Sequence, residues 1–175
     1  RGFLTDYDNY NLLSFFTKEL KKHKEYGFTD EFLEYVAKAA PMHDLGKIAV
    51  DDAILRKPGK FTEEEYEIMK SHVIRGGEIL KDFTIIDNVS VGALYHHEKY
   101  DGTGYPGRLK GEEIPYLARI AAIADTFDAM TSRRTYRDSL SLDIVKAEIE
   151  KCSGSQFDPE IAKVFLNILD NEYDI

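Results

Sequence analysis

The sequence predicts an all-α domain of about seven helices. Three observations carry this. Apolar residues recur at helical spacing along most of the chain, as in Leu12, Leu13, Phe15, Phe16 and Leu20. No clean run of alternating apolar and polar residues stands out, as a half-buried strand would need. Helix-start signals fall where the periodic stretches begin.

Taken in order, the first helix carries Leu12 to Leu20 and ends near Gly27. Phe32, Leu33, Val36, Ala37 and Ala40 mark the second. Thr62 followed by Glu65 is a capping box, opening a helix through Ile68, Met69, Ile74 and Ile79. Ile85 to His97 reads as a fourth, with Ile86, Val89, Ala93 and Leu94. Ile120, Ile123, Ala124, Phe127 and Met130 mark a helix apolar on most sides, hence a central one. Ser141 can cap a helix running to Cys152, and Asp158 with Pro159 behind it opens the last. "KPGK" is a turn. "DGTGYPGRLKGEEIP" is a long glycine-rich loop of the kind that carries function. Without repeat, linker or low-complexity stretch, residues 1–175 read as one domain.

Composition narrows the function. The chain is 43% hydrophobic and 31% charged, enough for a core. A net charge of −9 argues against wrapping a long nucleic acid, "SRRTYR" (Ser132 to Arg137) being the basic exception. No apolar run reaches the roughly 18 residues of a membrane span. "RGFLTDYDNY" lacks a signal-peptide layout and begins without Met, which reads as a piece of a longer protein. A single cysteine, Cys152, permits no internal disulfide and suits the reducing cytoplasm.

Four segments carry candidate chemistry. His43 and Asp44 are neighbours in "PMHDLGK", a mixture of imidazole and carboxylate that divalent ions favour, with Lys47 within reach. The plainer alternative has His43 capping a helix and Asp44 pairing with Lys47. His72 shares a helical face with Ile68 and Met69, and so points inward as a ligand or as a bonded core residue. Asp125 sits among alanines and isoleucines, where a buried carboxylate needs a cation. Arg119, six residues before it, cannot face it on the same helix. The alternative is a narrow exposed stripe. His96 and His97 on a helix point about 100° apart, so they suit two ions, or an ion and a phosphate, or simply a solvated helix end. Glu98 is placed to orient an imidazole. Taken together the segments suggest one site with two or more metals, and a pair about 3.5–4 Å apart is the usual device for breaking a phosphodiester.

"HDLGK", "KSH", "HHEKYDGTGYP" and "ARIAAIADTFDAMTSRRTYR", in that order, closely resemble the HD-GYP branch of the HD phosphohydrolase superfamily, from about Ala40 onward. The resemblance implies an HD-type helical bundle that hydrolyses cyclic di-GMP to the linear dinucleotide, and often on to GMP, in bacterial second-messenger signalling. It implies two divalent transition metals, iron or manganese, held by His43, Asp44, His72, His96, His97 and Asp125, with Asp44 and Asp125 shared. Lys47 then contacts the scissile phosphate. Gly104 and Tyr105 belong to the GYP element, whose tyrosine meets the guanine region, and Arg134 and Arg137 hold phosphates. Such domains usually follow an upstream sensor or receiver domain, and a homodimer is compatible with this layout.

One departure stands out. Family members usually carry a first-helix histidine where this chain reads "YDNYNLLSFF", with Asn9 or Asn11 at its place. Asn is a poor substitute for imidazole on a transition metal, which implies two metals at most and one weakened position. The alternative to an enzyme is therefore an HD-GYP module that binds cyclic di-GMP or a partner protein without turnover. A plain HD nucleotide phosphohydrolase would have no reason to carry "DGTGYP", and a hybrid cyclic dinucleotide is a further substrate option.

Overall fold

A computed structural model describes residues 28–86, 88–132 and 139–171. Among them are seven α-helices: α1 (Asp30–Ala39), α2 (Asp52–Leu55), α3 (Glu63–Leu80), α4 (Val89–Tyr95), α5 (Tyr116–Thr131), α6 (Leu142–Cys152) and α7 (Pro159–Asn171). Short 3-10 turns cover Ala40–Met42, Leu45–Ala49 and Gly111–Glu113. The one β feature among the described residues is an isolated bridge between Ser153 and Phe157. The expected first helix lies outside the described residues.

Local chemistry explains most boundaries. The Thr62 side chain accepts from the Glu65 amide, and the Glu65 carboxylate accepts from the Thr62 amide at 2.7 Å, so the capping box is complete. Asp158 accepts from the amides of Glu160 and Ile161 and opens α7. Ser141 stands at the start of α6 but makes no side-chain capping bond. The helix expected over Ile85 to His97 is only Val89–Tyr95, because Asn88 adopts the left-handed conformation (φ 54°), which a continuous helix cannot include. The short α2 was not expected; Asp51 accepts from the Ala53 amide at 2.7 Å and caps it.

As its composition implied, α5 is central, with 10 of its 16 residues buried. Its Leu117, Ile120, Ile123, Ala124, Phe127 and Met130 join Leu33 and Val36 of α1, Val89 and Ala93 of α4, Val145 and Ile149 of α6, and Phe165 and Ile168 of α7 in one core. Phe127 and Phe165 meet edge to face at 5.3 Å, and truncating either would cost about 3–5 kcal/mol. The Arg119 guanidinium lies over the Tyr116 ring and bonds Asp158 at 2.5 Å, fastening α5 to the start of α7. That pair is where Arg119 spends its charge, which leaves Asp125 to other partners. No helix among the described residues is long and apolar enough to cross a membrane.

Candidate metal centre

The candidate residues come from four segments. His43 and Asp44 join the two 3-10 turns, His72 stands on α3, His96 and His97 leave the end of α4, and Asp125 stands on α5. A close backbone approach sets the first two against the third. A Cβ on Gly46 would lie 1.9 Å from the His72 carbonyl oxygen and 2.4 Å from the Gly76 nitrogen. Only glycine permits this contact. It brings the Asp44 Oδ1 to 3.5 Å from the His72 Nε2.

Three imidazoles are aimed by their own helical turns. Nδ1 of His43 donates to the Ala40 carbonyl at 2.7 Å, Nδ1 of His72 to the Met69 carbonyl at 2.6 Å, and Nδ1 of His96 to the Ala93 carbonyl at 3.0 Å. A carbonyl only accepts, so each Nδ1 carries a proton, and each ring turns its Nε2 toward the centre. The result is a knot of acceptors. Nε2 of His72 faces Nε2 of His96 at 3.4 Å. Asp44 Oδ1 lies 3.8 Å from His96 Nε2, and His43 Nε2 lies 3.4 Å from Asp44 Oδ2 and 3.7 Å from Asp125 Oδ1. His43 Nε2 and Asp44 Oδ1 are buried with no hydrogen-bond partner.

Electrostatics agree with this geometry. Burial lowers the pKa of His72 and His96, and brings that of His97 to about 4, so these rings are neutral. Burial would also lower His43, but the Asp44 and Asp125 carboxylates overcome it and raise its pKa well above the usual value. Burial would raise Asp125, yet the neighbouring His43 imidazole brings it down to about 2.

The donor set fits divalent cations. Ligands about 2.0–2.2 Å from one ion at near-tetrahedral angles stand roughly 3.3–3.6 Å apart, close to the separations here. Donor atoms of His72, His96 and His97 lie within 4.8 Å of one another, as do those of His43, Asp44 and His96, so His96 belongs to both groups. Asp125, its side chain 23% exposed, borders the second group through His43 rather than lying on an open stripe.

Two local expectations change. The His96 and His97 rings come together at the end of α4; their centroids stand 4.1 Å apart and both rings face His72. Glu98 orients no imidazole. Its buried carboxylate accepts from the amides of Gly107 at 2.5 Å and Leu109 at 3.0 Å, clasping the base of the glycine-rich loop. Gly104 is buried against the Glu98–Lys99 backbone, with no room for a Cβ, and the Tyr105 amide donates to the His97 carbonyl. The Tyr105 ring then stacks on His97 at 5.0 Å.

Lys47 ion-pairs with Asp44, as the plainer reading of that segment had it, while Asp44 Oδ1 still faces the imidazoles. Arg134 and Arg137 lie outside the described residues, as do Asn9 and Asn11. Two features escaped the sequence reading. Asp128 is buried and accepts from the Ser132 hydroxyl where the basic segment begins. Lys70 holds its ammonium near the Tyr66 and Tyr105 rings; the i, i+4 spacing of Tyr66 and Lys70 on the His72 helix was the available signal.

Residues 18–161 match the HD domain family, and a "Cyclic di-GMP phosphodiesterase" of Thermotoga maritima is 45% identical over 147 residues, 83% of this chain and 40% of that protein. A "Cyclic di-GMP phosphodiesterase response regulator" of Xanthomonas campestris is 43% identical over 82% of this chain and 38% of that protein. The "3'3'-cGAMP-specific phosphodiesterase 2" of Vibrio cholerae is 40% identical over 81% and 27%. A crystal structure of a cyclic GMP-AMP specific phosphodiesterase from V. cholerae superposes with a TM-score of 0.68 at 18% identity, covering 94% of this chain and 44% of that one, and shows the same fold. This chain belongs to the HD domain family, in its HD-GYP branch. That family is metal-dependent. The chain spans less than half the length of these relatives.

Proposed function

We propose that this domain is a metal-dependent phosphodiesterase that hydrolyses cyclic di-GMP to the linear dinucleotide and/or GMP. The observation that carries the reading is the knot of lone pairs around His72 Nε2, His96 Nε2 and Asp44 Oδ1, which no proton fills. Relatives named for hydrolysis of cyclic di-GMP and of 3'3'-cGAMP support a cyclic dinucleotide as substrate.

His43, Asp44, His72, His96, His97 and Asp125 would hold two divalent transition metals, iron or manganese. Such ions, when bound, polarise phosphoryl oxygens, activate water and neutralise developing charge. The chain's own residues supply the rest. The Lys47 ammonium, 43% exposed beside Asp44, would meet a phosphate oxygen as charge builds there. Tyr105 presents its ring at the rim beside His97. Gly104 lets that ring come so close, and Arg134 and Arg137 would grip phosphates with forked donors. Residues 1–175 would act as the output domain of a longer cytoplasmic protein with an upstream sensor or receiver domain, alone or as a homodimer. The greater length of the relatives, one of them named a response regulator, supports this.

A second reading, recognition without turnover, is favoured by Asn9 or Asn11 standing at the expected first-helix histidine. An anaerobic assay with cyclic di-GMP and manganese or iron separates the two. Release of linear dinucleotide and GMP, lost in Lys47→Ala and Asp125→Ala, supports the enzyme. Tight binding without product supports the second reading; a gain in metal content or turnover on placing His at position 9 or 11 would then locate the defect.

A further inference from the structure

We infer that Lys70, flanked by Tyr66 and Tyr105, is a specificity residue that selects guanine in the ligand; this rests on the phosphodiesterase reading above. A row of side chains runs outward from the metal centre. The His97 ring stacks on Tyr105 at 5.0 Å. The Lys70 ammonium lies 5.5 Å from the Tyr105 centroid and 5.1 Å from that of Tyr66. It thus lies over both rings. Lys70 and Tyr66 stand on α3, the helix that also carries His72, so the row is fixed to the element that holds a candidate ligand.

The row is open to a ligand. Tyr66 is 49% exposed, and the Lys70 side chain is 25% exposed. The acidic partner of Lys70 is Glu67 at 2.5 Å, whose side chain is 69% exposed. With Glu67 largely in solvent, the pair is screened on that side and yields to a better acceptor.

Aromatic faces accept any base by stacking, so the two tyrosines alone would not discriminate. An ammonium between them does. Guanine offers two adjacent acceptors, O6 and N7, whereas adenine offers N7 beside an amino group that is itself a donor. Lys70 therefore favours guanine and repels the adenine edge. It does so apart from any contact that Tyr105 makes.

The test uses the manganese-loaded full chain with cyclic di-GMP, 3'3'-cGAMP and cyclic di-AMP, reading kcat/KM and, by calorimetry, dissociation constants. The wild-type protein ranks them by guanine content. Lys70→Met narrows the cyclic di-GMP to cyclic di-AMP ratio by about tenfold or more, while Lys70→Arg, which keeps the donors, retains it. A general weakening, as from loss of a structural contact or of charge attraction to phosphate, would lower all three alike and leave the ratio intact. An unchanged ratio in Lys70→Met, or no guanine preference in the wild type, overturns the inference and spares the phosphodiesterase reading. If the wild type neither binds nor hydrolyses any of the three, both fall.

Discussion

Nε2 of His72 and Nε2 of His96 face each other at 3.4 Å, and both rings donate their Nδ1–H to main-chain carbonyls. Two lone pairs so placed repel unless a cation stands near them. Adding manganese or iron to the metal-free protein is therefore expected to stabilise it. At about 100 times the dissociation constant the gain is about 2.7 kcal/mol, or roughly 5–10 °C in Tm for a chain of this size. Chelator should reverse it, and His96→Ala should abolish it. A melting curve indifferent to metal would refute the centre.

Asp44 and Lys47 form one ion pair but should behave differently. Asp44 faces three imidazoles, so Asp44→Ala is expected to empty the site in elemental analysis. Lys47 faces outward from the same carboxylate, so Lys47→Ala should keep its metal and lose about 10²-fold or more in kcat. Equal metal loss in both variants would place Lys47 among structural supports.

Gly46→Ala tests the backbone contact that seats Asp44 beside His72. The added methyl meets main-chain atoms of His72 and Gly76, which cannot rotate away. The expected cost lies at or above the upper end of about 1–3 kcal/mol for overpacking, with metal content falling alongside. Denaturant unfolding together with metal analysis checks it; a neutral effect would contradict the close approach.

The metal-free protein should weaken in mild acid. His97, at about 4 in the folded chain, lies below the ordinary 6.5, and His72 and His96 are shifted the same way by burial. A lowered folded pKa contributes stability present above 6.5 and lost as pH falls toward the folded value. His43 runs oppositely, its contribution present below 6.5 and lost as pH rises through its raised pKa. Three lowered groups outweigh one, and Asp125, at about 2, titrates below this window. Urea midpoints in chelator should thus be lower at pH 5 than at pH 7, with a smaller difference in His97→Gln. A flat profile would count against the buried neutral rings.

Much of this was legible in residue order. Periodicity and caps gave α3, α5 and α7, because their signals lie within a few residues of chain. The length of α4 was not legible, because nothing in "IIDNVS" declares that Asn88 takes a left-handed conformation. His43, Asp44, His72 and Asp125 stood out as charge or imidazole in apolar surroundings, and the HD-GYP resemblance joined them. The meeting of His96 with His97 was not legible because it depends on how each ring turns at the end of α4. Glu98 was misassigned because its partners, the amides of Gly107 and Leu109, lie across a loop whose course sequence does not give.

The carbonyls of Ala40, Met69 and Ala93 lie three residues before the rings they hold. The direction of each nitrogen is thus written into its own turn of chain, while the gaps between nitrogens are set by how α3, α4 and the 3-10 turns lean on one another. Changes in the distant core would accordingly alter which size of ion the cage prefers before they cost it a ligand.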